Sequence, residues 1–155
     1  MRKLAKNAIK IGMNISYQDV VLTQIESAIH FYTVKKYIEC ITLAGASEEI
    51  IGKICRDAGI APSFDSIISI AANISNEHKD AILKVINEPR NSLKHGDSKN
   101  MKINNQIEIT EFDAYLGLLR AVRNYELLEL PKSNIISNFI LHSANTPLSL
   151  SMLDS

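Results

Sequence analysis

Helical spacing of apolar residues is the pattern that most limits how this chain can fold. It is clearest over residues 36–58, where apolar residues recur every three to four positions until Gly59 and Pro62 end the segment. The same spacing predicts further helices over 18–32, 66–74, 77–95 and 133–143, with a loop over 60–66, and residues 1–17 could open with another short helix. Residues 106–109 suggest a short extended piece. We therefore expect an all-α protein, a compact five- or six-helix bundle with at most a trace of strand.

Two further signals predict the limits of the last long helix and of the domain. Residues 110–113, Thr-Glu-Phe-Asp, have the form of a capping box and predict that a helix starts there. Pro131 predicts that this helix ends at Leu130, because proline cannot continue a helix. The chain has 155 residues, which is enough for one domain with its own core. We expect one helical domain over 1–145 and a flexible tail over 146–155.

The charge balance restricts how this chain could contact nucleic acid. It carries 17 basic and 17 acidic residues, so its formal net charge is zero. Because a protein that coats nucleic acid non-specifically is usually basic overall, any such contact must use a local patch. Residues 1–18 contain basic but no acidic side chains, and residues 84–102 are also rich in lysine and arginine. The alternative interpretation is that both segments are ordinary solvated faces.

The sequence lacks the usual signals of membrane insertion, export and metal binding. No apolar run approaches the roughly 20 residues of a membrane span, and the N-terminus lacks the apolar core of a signal peptide. We expect a cytoplasmic protein without membrane contact. Cys40 and Cys55 fall about 22 Å apart along one predicted helix, too far for a disulfide bond. No Cys or His spacing resembles a zinc site, and we expect neither metal nor cofactor.

The predicted helix over 77–95 carries polar side chains whose combination suggests chemistry. Its apolar stripe, which we expect to face the core, consists of Ile82, Ile86, Pro89 and Leu93. On the other side, Arg90, Lys94, Asn91 and His95 follow one another within about 140° of arc. Five residues separate Arg90 from His95, or about 7.5 Å along the axis. We expect the two side chains to flank a single phosphate.

An arginine and a histidine in this arrangement suit RNA cleavage without a metal ion. An imidazole titrates near physiological pH and can take a proton from a 2′-hydroxyl or give one to a leaving oxygen. A guanidinium keeps its charge and holds phosphate oxygens in a fork, so it stabilises charge that develops there. The alternative is that Arg90 and His95 have no catalytic role and are solvated surface residues, which are common on a polar helix face.

The same residues resemble a known family. Arg90, Asn91 and His95, late in a helix of a small helical protein, resemble the signature of the HEPN domain: an Arg, an adjacent polar residue and a His a few positions later. Residues 44–49 and 94–97, Ala-Gly-Ala-Ser-Glu-Glu and Lys-His-Gly-Asp, are similar to a branch of small bacterial HEPN-like proteins. This similarity covers most of the chain.

The resemblance implies a metal-independent endoribonuclease, in a toxin–antitoxin or anti-phage system, with Arg90 and His95 as catalytic residues and Asn91 in support. It also implies a homodimer that brings two Arg…His motifs together. Some HEPN toxins carry, two residues after the histidine, a tyrosine that a partner antitoxin adenylylates; here that position is Asp97.

Lysines near the motif complete the predicted RNA contact. We expect Lys84, Lys94 and Lys99 to bind the phosphates of single-stranded RNA. The competing class of function is a non-catalytic HEPN-like subunit, which binds RNA, a nucleotide or another protein as an antitoxin or adaptor. An antitoxin is also a candidate partner for the nuclease.

The helix predicted over 36–58 contains a carboxylate inside its apolar arc. Glu48 lies in that arc and Glu49 lies outside it. An inward carboxylate needs a partner because burying it alone is costly. We predict that Glu48 supports the site by holding Arg90 or His95 in place. The alternative is that Glu48 reaches the rim or pairs with a structural lysine. Small residues over 44–47 and at Gly52 predict a close approach of another helix.

Overall fold

The fold is seen in a computed structural model that describes residues 12–65, 76–96 and 101–145. Within these ranges five α-helices are present: α1 (Tyr17–Thr33), α2 (Tyr37–Asp57), α3 (Asn76–His95), α4 (Glu111–Leu127) and α5 (Asn134–Asn145). Residues 63–65 are also helical, and none of the described residues lies in a strand. The prediction of an all-α helical bundle is therefore confirmed.

Helix α2 lies at the centre of the bundle. It packs along α1 on one side and along α4 on the other. Helix α5 packs against α1, and α3 contacts α2 and, to a smaller extent, α4. The core comes from four of the five helices: Val21, Ile25, Ala28 and Ile29 of α1, Cys40, Ile41, Ala44, Ile51 and Cys55 of α2, Ala114, Leu118, Ala121, Val122 and Tyr125 of α4, and Ile136 and Phe139 of α5.

Helices α1 and α4 each begin at a side-chain cap. The Ser16 hydroxyl accepts a hydrogen bond from the Asp19 backbone N–H at 3.1 Å and so caps α1. The predicted capping box is confirmed at α4, where the Asp113 N–H donates to the Thr110 hydroxyl at 3.2 Å and the Thr110 N–H donates to Asp113 Oδ2 at 2.8 Å. Both caps satisfy backbone donors that the first helical turn leaves unpaired.

Several predicted boundaries are wrong. Helix α4 ends at Leu127 instead of Leu130, because Glu129 adopts a left-handed backbone with φ +52° before Pro131. Residues 63–65, predicted as loop, are helical, and Pro62 before them suits a helix start because it has no N–H to leave unpaired. Residues 12–16 are not helical, and residues 106–109 form no strand. Residues 1–11, the predicted helix over 66–74 and the predicted tail over 146–155 lie outside the described residues.

Helix α3 is attached differently from the other helices. None of its described side chains, from residue 79 onwards, is fully buried. Of the predicted apolar stripe, Leu93 packs against the described core, and Ile82, Ile86 and Pro89 are half-buried. The predicted contact of this stripe with the core is therefore confirmed at Leu93 within the described residues. Among the described contacts of α3 with the core, apolar burial is small, and polar contacts therefore contribute to its position.

Core packing on α4 predicts a large loss of stability from a single truncation. Leu118 is fully buried in the core, whereas Leu127 at the end of the same helix is 40% exposed. We expect Leu118→Ala to lower the free energy of unfolding by about 2–5 kcal/mol, and Leu127→Ala to lower it by about 1 kcal/mol or less. Urea denaturation measures both. Equal losses for the two variants would contradict this description of the core.

Candidate functional site

The C-terminal half of α3 is joined to α2 by ion pairs. Arg90 donates from Nη1 to Glu48 Oε2 at 3.4 Å and from Nη2 to Glu49 Oε1. Lys94 Nζ, one turn later, donates to both carboxylate oxygens of Glu49, at 2.8 and 3.1 Å. Arg90 and Lys94 reach α2 together because residues four apart lie on one face of a helix. The cationic face of α3 is thus turned toward two consecutive carboxylates.

Glu48 is buried and is shared by two arginines. Only 8% of its side chain is exposed, and its Oε1 accepts from Arg120 Nε at 3.1 Å and Nη2 at 2.5 Å. Arg120 belongs to α4 and is itself 5% exposed, with its guanidinium 4.2 Å from the centre of the Phe64 ring. Glu48 therefore links α4, α2 and α3 through one carboxylate, with Arg120 as the closer partner and Arg90 as the second.

A glycine on α2 makes room for the Arg90 side chain. A Cβ placed on Gly45 would lie 3.1 Å from both Cδ and Nε of Arg90. The aliphatic part of Arg90 thus crosses α2 directly over Gly45, while its guanidinium reaches Glu48 and Glu49. At Gly45 the neighbour that comes close to α2 is this side chain, not the backbone of another helix. A larger residue at position 45 would push Arg90 outward from the two carboxylates.

A polar groove of about 290 Å³ lies beside this cluster. Its lining is mostly charged or amide-bearing, with one aromatic ring: Glu48, Glu49, Arg56, Phe64, Asn87, Arg90, Asn91 and Arg120. Arg56 on its rim forms a two-bonded pair with Asp65, at 3.1 and 3.2 Å. Leaving that neutral pair aside, the cluster of Arg90, Lys94, Arg120, Glu48 and Glu49 holds three cations and two carboxylates, so it keeps one net positive charge.

The residues predicted for the site fall into two groups. Arg90, Asn91 and Glu48 line the groove, and Lys94 lies next to it through Glu49. His95 is exposed at the end of α3 and does not line the groove, and no hydrogen bond joins the described side chains of Arg90, Asn91 and His95.

Of the other two predicted RNA-binding lysines, Lys84 lies apart from the groove. Lys84 is exposed, about 9 Å before Arg90 along the axis of α3, and does not line the groove. Lys99 lies outside the described residues.

Sequence reasoning missed five residues that line the groove: Glu49, Arg56, Phe64, Asn87 and Arg120. Glu49 was placed outside the apolar arc of α2, and that exposed position is what lets it meet Arg90 and Lys94. Arg56 and Phe64 were not singled out because nothing in their spacing links them to α3. Arg120 had one available signal: a buried glutamate requires a cation. The sequence did not distinguish Arg120 from the neighbouring Arg123, which pairs on the surface with Glu126.

Two charged groups of the cluster, one exposed and one buried, have a lowered pKa for different reasons. The hydrogen bond from Lys94 is the main cause that lowers the pKa of Glu49, with further help from the charge of Arg90. Burial is the main cause that lowers the pKa of the Arg120 guanidinium, and the Glu48 carboxylate opposes it. Glu49 is therefore a stabilised surface anion, whereas Arg120 depends on Glu48 to compensate for its lost hydration.

Other reactive groups lie away from this site. Cys40 and Cys55 are both free and buried, and burial raises the pKa of the Cys40 thiol to about 12. Among the described residues, no three His, Cys, Asp or Glu side chains form a group that could hold a metal ion. In the same part of the chain, every helix is too short or too polar to cross a membrane.

Comparisons with known proteins add no relative. The chain matches no protein-family model, no curated protein sequence and no solved structure at a significant level.

The sharing of Glu48 predicts unequal roles for the two consecutive glutamates. Glu48→Gln keeps the shape of the side chain but leaves the buried Arg120 without its anion, so we expect a loss of about 3–5 kcal/mol in the free energy of unfolding. Glu49→Gln removes an exposed partner and should cost about 1 kcal/mol or less. Chemical denaturation of both variants tests this difference, and similar losses would show that Glu48 does not organise the cluster.

The pKa of Glu49 gives a second test of the cluster. Because a lowered carboxyl pKa stabilises the folded state above the ordinary pKa, this contribution should disappear as the pH falls through the folded-state value. We expect Lys94→Gln to raise the pKa of Glu49, since the hydrogen bond from Lys94 is its main cause. Carboxyl ¹³C shifts followed against pH measure it. Lys84→Gln, on an exposed position of α3, is the control and should leave the pKa unchanged.

Proposed function

We propose that this protein is a metal-independent endoribonuclease of the HEPN type that acts on single-stranded RNA in the cytoplasm. The observation that carries the proposal is that Arg90, which crosses over Gly45 and pairs with Glu48, lies at the same helix end that presents an exposed His95. An arginine that is already ordered loses little further conformational entropy when it engages a phosphate. The net positive charge of the cluster suits one phosphodiester, which carries a single negative charge.

The reaction follows from the chemistry of these two side chains. A neutral His95 imidazole takes the proton of a 2′-hydroxyl, and that oxygen attacks the adjacent phosphorus. Arg90 stabilises the charge that develops on the phosphate oxygens. The bond to the 5′-oxygen breaks, a protonated imidazole returns a proton to that oxygen, and the products are a 2′,3′-cyclic phosphate and a 5′-hydroxyl. Lys94 would contact the same phosphate as Arg90, and Asn91, on the same helix end, would bind a flanking phosphate or sugar group.

A homodimer is part of this proposal. Arg90 turns inward to α2 while His95 is exposed, about 140° further round α3. Two copies of α3 that meet at their ends would place the inward arginine of one protomer beside the exposed histidine of the other.

We extend the proposal to a toxin–antitoxin or anti-phage role, in which a partner antitoxin covers this end of α3.

Cleavage assays test the proposal directly. The purified protein, incubated in EDTA with mixed-sequence RNA, should produce fragments with cyclic phosphate ends. His95→Ala should lower the rate by about 10²–10⁴-fold and Arg90→Lys, which keeps the charge but loses the fork, by about tenfold or more. His30→Ala, which removes an exposed histidine of α1, is the control and should retain the wild-type rate. A wild-type protein that does not cut RNA, or variants that all cut equally, would refute the nuclease.

A second candidate function is RNA binding without cleavage, as in an adaptor or antitoxin. It is favoured by one observation: Glu49 already accepts a hydrogen bond from the Arg90 guanidinium and two from Lys94. In that case wild-type protein binds RNA but leaves it intact. Lys94→Ala should weaken the binding and reduce the slope of log affinity against log salt by about one unit. An unchanged slope would exclude Lys94 from the contact.

A further inference from the structure

Two cations of α3 converge on one exposed anion. Glu49 is 48% exposed, and its carboxylate accepts from Arg90 Nη2 at one oxygen and from Lys94 Nζ at both. A guanidinium and an ammonium that meet at one pair of oxygens are the donors that commonly bind a phosphate group. The carboxylate of Glu49 therefore occupies the place that two phosphate oxygens would take.

Of the two carboxylates that Arg90 contacts, only Glu49 can leave easily. Glu48 is 8% exposed and is the partner of the buried Arg120, so its departure would leave a buried cation unpaired. Glu49 is about half exposed to solvent, and its ion pairs are surface pairs, each of which contributes little to stability. The groove beside it, which Arg90 and Asn91 line, has the volume to receive a phosphate group.

We propose that Arg90 and Lys94 form a phosphate subsite and that Glu49 is its built-in competitor, displaced when a phosphodiester of RNA binds. This inference rests on the proposed function and names the residue that sets the affinity of the same site. With Glu49 in place the cluster carries one net positive charge, and with Glu49 displaced the remaining groups carry two. An isolated phosphate must compete with Glu49, whereas a polynucleotide adds contacts on either side and displaces it more readily.

Binding of an oligonucleotide that cannot be cleaved tests this inference separately from catalysis. The probe is a short fluorescein-labelled single-stranded DNA, which lacks the 2′-hydroxyl, and the measurement is fluorescence anisotropy at about 50 and 200 mM salt. Glu49→Gln should bind it roughly three- to tenfold more tightly than wild type, because two surface ion pairs no longer compete. The variant should also show the steeper dependence on salt.

Matched variants separate this effect from a general change of charge. Glu39→Gln removes another exposed carboxylate of α2, about 15 Å away along the helix, and should change the affinity less than twofold. In a Lys94→Ala background, Glu49→Gln should lose most of its gain, since the two side chains act on each other. Any one of three results would overturn the inference. They are unchanged or weaker binding by Glu49→Gln, an equal gain in affinity for Glu39→Gln, and no binding by any variant. Tighter binding by Glu49→Gln without RNA cleavage would support the subsite and refute only the nuclease.

Discussion

Glu48 is a carboxylate on a helix face that otherwise packs against apolar neighbours, and the rest of the site depends on how its charge is compensated. Arg120 from α4 takes the nearer oxygen and Arg90 from α3 reaches the other. A buried ion pair of this kind is weak evidence for extra stability, since desolvation offsets much of the attraction. Its clearer consequence is positional. Three helices must stay in register for one carboxylate to serve both arginines.

That positional role explains why α3 can sit at the edge of the bundle. No described side chain of α3 is fully buried, and Leu93 is the member of its predicted stripe that touches the core. In place of a deep apolar contact, α3 uses Arg90 and Lys94 against the two carboxylates of α2. Directional polar contacts fix the rotation of a helix more narrowly than a small apolar contact does. They thereby determine which of its polar residues face inward and which face solvent.

The helices could be predicted from sequence because local signals specify them, whereas the site depends on distant partners. The capping box at Thr110 gave the start of α4, but its end was misplaced because the left-handed backbone at Glu129 has no clear local signal. The helical wheel placed Glu48 in an apolar arc and so indicated that it needs a partner. It could not identify Arg120, which is 72 residues away, or show that Arg90 turns toward Glu49. Those contacts depend on how α2, α3 and α4 pack.

The Arg90 side chain must meet two opposing requirements: it must be ordered, and it must remain available to bind an anion. Glu48 orders the arginine without satisfying it fully, because its nearer bonds go to Arg120 and its bond to Arg90 is 3.4 Å long. Glu49 completes the coordination from the exposed side, where a competing anion can approach from water. The buried carboxylate thus fixes the direction of the guanidinium, while the exposed one controls access to it. An arginine held only by buried partners would be ordered but unavailable, and one without partners would be available but disordered. A surface carboxylate beside a buried one gives α3 a cation that is both positioned and exchangeable, which is the property that binding a phosphate requires.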